Sequence, residues 1–200
     1  MIYSDVVFGS VEPDKVSIDI DELERRLGGG CDIDSEQISR LRNLFDEKVS
    51  YRFAYARMEI SFPEKGICDF GCGCIESGDL YKNLRDCKAV YMMGVTLGIG
   101  IDRLLSMLRI RSAAEHYIID GMASAAVESF CNMLDKELRA KEGFKCRPRY
   151  SPGYGDCTIY NQKLLTDRID AARTLGMTLN ESYFMTPSKS ITAIMGIKNE

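Results

Sequence analysis

The chain has no tryptophan and a single histidine, and it carries no basic surplus. Each shortage closes off a class of function. One histidine, His116, cannot build a His-rich metal centre. It stands beside Tyr117, a turn before Asp120, and reads as a helix-surface or satisfied core residue. No serine sits in a G-x-S-x-G elbow, so that hydrolase signature is missing. A net charge of −4 offers no basic face to a phosphate backbone, so nucleic acid is not expected as the main partner. No stretch of about 18 apolar residues is free of charge, so no membrane span is expected. The opening Met1-Ile2-Tyr3-Ser4-Asp5 has no basic region followed by an apolar run, so no signal peptide is expected. These absences together describe a cytoplasmic chain.

What is present supports a core. With 45% hydrophobic residues in 200, the chain reads as a single domain over 1–200, with 1–15 as an N-terminal arm. The eight cysteines are Cys31, Cys68, Cys72, Cys74, Cys87, Cys131, Cys146 and Cys157. In a reducing compartment they are expected as thiols, several of them buried as small apolar side chains.

Hydrophobic spacing gives the element order. Val6-Val7-Phe8 is a short strand or arm. Ile18 to Leu27 reads as a helix stopped by Gly28-Gly29-Gly30, a triple that lacks the strand–turn–helix frame of a dinucleotide fingerprint. Asp34 with Gln37 resembles a capping box ahead of a helix with Ile38, Leu41 and Phe45 inward. Tyr51 to Ile60 suits a strand with Tyr51, Phe53 and Tyr55 on one face. Pro63 to Gly66 is a turn, and Cys68 to Ile75 is expected to return as one strand. Ser77 caps a short helix carrying Leu80, Leu84 and Cys87. Ala89 to Gly98 is nearly all apolar and is expected as a central strand covered on both faces. Ile101 to Leu108 and Ser112 to Lys141 are helical. The longer one is expected to point Ala113, Tyr117, Asp120 or Gly121, Ser124, Val127, Cys131, Leu134 and Leu138 inward. Ile159 to Leu175 reads as one amphipathic helix, with Leu164, Leu165, Ile169, Ala172 and Leu175 inward and Gly176 closing it. Ile191 to Ile197 is a terminal strand. Strands and helices mix without a βαβ repeat, which points to α+β: a twisted, largely antiparallel sheet flanked by helices.

Five groups of residues carry candidate chemistry. In Arg149-Tyr150-Ser151-Pro152-Gly153-Tyr154 the proline and glycine make a stiff bend, Arg149 offers a planar fork, and two tyrosines offer rings. This is either a ligand clamp or a surface turn with a structural ion pair. Glu128 shares a helix face with Ser124 and Gly121 in a run of small residues. It either receives an amine or sulfonium, or is a solvated carboxylate beside a helix-packing patch. Glu181 either pairs with Arg149 or is exposed. Cys68, Cys72, Cys74 and Cys87 are either thiolate ligands to zinc or an iron–sulfur cluster, or buried thiols. Lys136, Arg139, Lys141, Lys145 and Arg147 either solvate a helix end or steer an acidic partner.

Taken with Leu175-Gly176-Met177-Thr178-Leu179-Asn180-Glu181-Ser182-Tyr183-Phe184-Met185-Thr186-Pro187-Ser188-Lys189-Ser190-Ile191, the Arg149–Tyr154 segment resembles the S-adenosylmethionine-binding activation domain of cobalamin-dependent methionine synthase. That family carries R-x-x-P-G-Y and then G-x-x-L-T-E-S-x-x-M-x-P-x-x-S-V. Cys87-Lys88-Ala89-Val90 with Val95-Thr96-Leu97-Gly98, and Ala126-Val127-Glu128, resemble stretches of its small stand-alone relatives. The chain departs from the pattern at Asn180-Glu181-Ser182, where the family has T-E-S, and at Gly155-Asp156, where it has Pro-Ala.

The resemblance implies an α+β domain that binds S-adenosylmethionine through Glu128, Arg149, Ser151, Gly153 and Tyr154. Arg149 would hold the ligand carboxylate and Glu128 its positive end. Glu181 would support the loop. It further implies a role in the reductive remethylation, or reactivation, of cob(II)alamin. The chain carries no folate, homocysteine or cobalamin module, so the cobalamin would be carried by a partner. That partner would be a corrinoid protein, or a methionine synthase lacking its own activation domain. A flavodoxin-like protein would donate the electron. A non-enzymatic module that binds a corrinoid protein and has lost S-adenosylmethionine is the alternative within the same resemblance.

Overall fold

The computed structural model describes residues 5–18 and 35–198. The expected helix from Ile18 to Leu27 and the Asp34 cap lie outside the described residues, apart from Ile18 itself, which is buried. The centre is a four-stranded antiparallel sheet in the order β1-β2-β5-β8. Its strands are β1 (Val7–Val11), β2 (Tyr51–Glu59), β5 (Cys87–Thr96) and β8 (Ser190–Lys198); β3 (Ile67–Asp69) with β4 (Cys74–Glu76), and β6 (Thr178–Leu179) with β7 (Met185–Thr186), form two small separate pairs. Strand β1 is the edge strand, with Val7 and Phe8 exposed and Arg173 lying over the Phe8 ring. The apolar run expected as a central strand is β5, hydrogen-bonded to β2 on one side and β8 on the other.

Alternation along the strands feeds two cores. Tyr51, Tyr55, Tyr91, Met93, Val95 and Met195 face one helical layer, which supplies Leu41, Phe45, Leu104, Ile119, Met122 and Phe130. That layer contains α1 (Ser35–Asp46), α3 (Ile99–Arg111) and α4 (Ala113–Lys141). Ala54, Ala56, Val90, Met92 and Ile194 face the other layer and meet Leu80, Leu84, Leu165, Ile169 and Leu175. There lie α2 (Gly78–Leu84), α5 (Gln162–Arg168) and α6 (Ala171–Thr174). The expected architecture, an antiparallel sheet flanked by helices, is the one found.

Five local expectations are corrected. The helix that Ser77 caps ends at Leu84, and Cys87 opens β5 instead of lying on it. Cys68 to Ile75 is not one strand. It is a hairpin of β3 (Ile67–Asp69) and β4 (Cys74–Glu76). The Asp69 carboxylate accepts from the Gly71 amide at 2.8 Å, and Gly71 takes a φ of 73°, so the chain reverses there. The Ile159–Leu175 helix is also broken. A 3-10 turn at Ile159–Asn161 leads into α5, and Asp170 at a φ of 50° separates α5 from α6. That single left-handed residue rotates the next turn, so Ala171 is buried and Ala172 is exposed. On α1, Leu41 and Phe45 are buried but Ile38 is exposed.

On α4 the stripe was legible only from Val127 onward. In its first half Ile118, Ile119, Met122, Ala123, Ala125 and Ala126 are buried, whereas Tyr117 and Ala113 are exposed. The helix packs against β5, β8, α3 and α1, so its buried arc is wider than one stripe. Its start is set by the Ser112 hydroxyl, which accepts from the Glu115 amide at 3.3 Å. Its end is set by Gly143 and Phe144, both at positive φ.

The closest steric limit is at the start of α3. A Cβ on Gly100 would lie 2.2 Å from the Lys48 carbonyl oxygen, a backbone atom that cannot swing aside. Alanine ordinarily stabilises a helix interior by about 1 kcal/mol over glycine. Here Gly100→Ala is expected to lower stability by about 1–3 kcal/mol instead. The check is a lower urea midpoint at an unchanged denaturant slope.

Candidate functional site

After α4 the chain turns back along the outer edge of β8. The Arg147 amide donates to the Gly196 carbonyl at 2.8 Å, and Tyr150 and Ile194 exchange backbone hydrogen bonds at 2.9 and 2.8 Å. Residues 146–150 therefore extend the sheet by a short stretch, and the bend that follows is fixed to it. Gly153 takes a φ of 94°, its amide donates to the Cys157 carbonyl at 2.8 Å, and the Tyr150 hydroxyl donates to the Tyr154 carbonyl at 2.9 Å. Only a residue without Cβ adopts that φ freely, which explains the glycine.

Asp156 ties the far side of the bend to the start of α2. It accepts from the Ser77 hydroxyl, from the Gly78 amide at 2.8 Å and from the Asp79 amide at 3.2 Å. These hydrogen bonds, the Ser77 hydroxyl first, hold its carboxyl below the usual carboxylate range. The departure from Pro-Ala at Gly155-Asp156 thus has a structural use in this chain. A side chain at Gly155 would collide with Asp79 and Tyr150.

The bend forms one wall of a groove of about 520 Å³. Arg149, Ser151 and Tyr154 line it from the loop and Glu128 from α4. Gln162, Met185, Ser190 and Thr192 line the rest, with Ile159 and Ile191 adding apolar surface. Four of the five residues named from sequence thus stand around one hollow. Gly153 does not line it; its α-carbon side faces Ile159. Tyr154 is 71% exposed, so its ring is available to a ligand. Glu128 is half-buried and has no hydrogen bond or ion pair among the described residues.

The guanidinium of Arg149 is already engaged by α4. It donates to the Cys131 thiol at 2.9 Å and to the Asn132 side-chain oxygen at 2.8 Å, and Asp135 lies 3.8 Å from its Nε. Burial pushes the Cys131 thiol up to about 12, so it is a neutral acceptor here. Of the two readings of the small-residue run on α4, packing accounts for Met122, Ala123, Ala125 and Ala126. Lys189 occupies Ser124, donating to its hydroxyl at 2.8 Å, and pairs with Asp120 at 2.7 Å.

Glu181 does not pair with Arg149. It is exposed and lines a different hollow of about 620 Å³, with Lys163, Asp167 and Tyr183. The neighbouring Asn180 supports that loop instead, accepting from the Ser182 and Phe184 amides at 2.9 and 3.0 Å. The larger hollow holds no counterpart of the Arg149–Glu128 arrangement.

The cysteines are scattered by the hairpin. Cys68 is fully buried beside Cys157, Cys72 sits in the turn, Cys74 is exposed, and Cys87 packs near Leu84 and Gly196. Burial pushes the Cys68 thiol up to about 12 and that of Cys87 to about 11. Among the described residues no three His, Cys, Asp or Glu side chains gather to hold a metal ion. The thiolate-cluster alternative finds no support in this arrangement. Likewise, Arg139 and Arg147 are not free steering charges: they pair with Asp135 and Asp86.

Sequence reasoning missed Gln162, Thr192 and Met185 in the groove and Asp156 beneath it. Gln162 and Thr192 are separated in the chain and meet only through the packing of α5 on β8, and Met185 joins them from the short strand Met185–Thr186.

No protein-family model matches this chain, and no curated protein matches it in sequence. Among solved structures, a crystal structure of the MetH reactivation domain bound to AdoHcy aligns with a TM-score of 0.71 at 13% identity. The alignment covers 96% of this chain and 78% of that one. At that identity the likeness establishes the fold.

The Asp156 tie generates a pH test. A carboxyl lowered in the folded state contributes stability that is complete above its unfolded value and is lost as pH falls through the folded value. Asp156→Ala is therefore expected to lower the urea midpoint at neutral pH. The gap from wild type should close in strong acid. A gap that stays constant across that range would remove the charged tie from the account.

Proposed function

We propose that this chain, as a single activation-domain-like unit, binds S-adenosylmethionine in the groove and supports the reductive remethylation of cob(II)alamin on a separate corrinoid protein. The observation that carries this reading is Glu128: a half-buried carboxylate without a hydrogen bond or ion pair among the described residues, lining one hollow with Arg149, Ser151 and Tyr154. The fold likeness to a domain seen with AdoHcy supports it.

The residues suit the ligand. S-adenosylmethionine supplies a methyl group on a positively charged sulfur, which a corrinoid reduced by a flavodoxin-like donor can accept. Glu128 offsets positive charge on the ligand. Ser151 offers backbone polar groups, and Tyr154 offers a ring face with its hydroxyl in water. The remaining N–H groups of Arg149 meet a ligand carboxylate, in competition with Asp135. The tie through Asp156 keeps the bend in place, so less ordering is left for the ligand to impose.

A second reading rests on the engagement of Arg149. With Cys131, Asn132 and Asp135 around its fork, the arginine can be a clasp between loop and helix. The chain would then be a module that binds a corrinoid protein without the methyl donor.

Titration calorimetry with S-adenosylmethionine, with and without a corrinoid protein, separates the two. Saturable binding is expected. Glu128→Gln should weaken it by about 1.5–3 kcal/mol, the range for a charged hydrogen bond. Arg149→Ala should abolish it while far-ultraviolet dichroism stays unchanged. Absence of binding in both conditions, with a corrinoid protein still captured, establishes the second reading over the first.

A further inference from the structure

Gln162 is the buried polar group of the groove with bonding capacity left. It is 3% exposed and opens α5, yet it lines the groove. Its Oε1 accepts from the Thr192 hydroxyl at 3.2 Å. Its Nε2 has no hydrogen-bond partner among the described residues. The neighbouring hydroxyls are committed: Ser190 is held by Thr96 and Pro187, and Tyr150 by the Tyr154 carbonyl. The residue is buried but its Nε2 is open to the groove, so the idle donor is free for water or for a ligand that displaces it and accepts in its place.

The chemistry of that ligand edge follows. A carboxamide presents an N–H donor beside an oxygen with two lone pairs. Thr192 takes one lone pair and leaves the other, so the free face offers a donor next to an acceptor. Adenine presents the complement, a ring nitrogen that accepts beside an exocyclic amine that donates. A purine with a 6-oxo group presents an acceptor where the amine was. Ile159, Met185 and Ile191 line the same groove and suit a flat apolar ring.

We propose that Gln162, oriented by Thr192, is the residue that selects adenine over 6-oxopurines in this groove. The proposal rests on the reading of the groove as an S-adenosylmethionine site and names how its base is chosen.

The experiment compares binding of S-adenosylhomocysteine and S-inosylhomocysteine to the full chain by calorimetry. The wild type is expected to favour the adenine form by at least about tenfold. In Gln162→Leu the preference should collapse to within about twofold, the inosine form keeping its affinity. In Thr192→Val, which keeps the side-chain volume, the preference should narrow because the carboxamide is no longer held one way. A wild type that binds both forms equally, or a Gln162→Leu protein that keeps its preference, overturns the proposal and leaves the site reading intact. If Gln162→Leu does not fold, an undiminished preference in Thr192→Val overturns it. A wild type that binds neither form, with or without a corrinoid protein, fails the site reading itself and this proposal with it.

Discussion

The backbone pairing between residues 146–150 and the outer edge of β8 is the constraint on which the groove depends. It places Arg149 against α4, because a residue next to a paired strand position has its direction set by the pleat. It also places Tyr150 so that its hydroxyl reaches over the bend to the Tyr154 carbonyl. Everything downstream, from the glycine at positive φ to the Asp156 carboxylate tied to the start of α2, fixes a bend whose origin is already fixed. That pairing, together with the hydrogen bonds of Arg149 to Cys131 and Asn132, holds the loop against the helix that carries Glu128.

The two layers contribute differently. The α4 layer is thick and apolar, with Phe130, Met122 and Leu134 buried, and it gives Glu128 a rigid base. The opposite layer is built from short pieces: a hairpin, α2, α5 and α6. Short pieces depend on side-chain caps rather than length, and Ser77, Asp69, Asp156 and Thr174 supply them. The groove lies where the long helix and the short pieces meet across β8.

Much of the fold was legible because its signals are local. The apolar run of β5, the Ser77 cap and the long α4 pattern each point one way. Errors arose where one residue decides the outcome. Asp170 at positive φ breaks a helix that the spacing of Leu164, Leu165 and Ile169 made continuous. Gly71 reverses a segment that reads as a strand. The loop half of the site was legible because Arg149, Ser151 and Tyr154 are neighbours in sequence. Gln162 and Thr192 were not, because two polar residues thirty positions apart become partners only when a helix is laid on a strand. Nor did the sequence tell that Arg149 already had acceptors, since Cys131, Asn132 and Asp135 look like ordinary helix positions.

The segment that carries the bend has an effect on the sheet as a whole. By pairing with β8 from Ile194 to Lys198 it closes part of that edge, while β1 forms the opposite rim of the main sheet among the described residues. An uncovered rim is where another chain can add by strand pairing. A chain adding at β1 would sit at the margin opposite the groove. The stretch that shapes the pocket thus also removes pairing positions from the strand beside it.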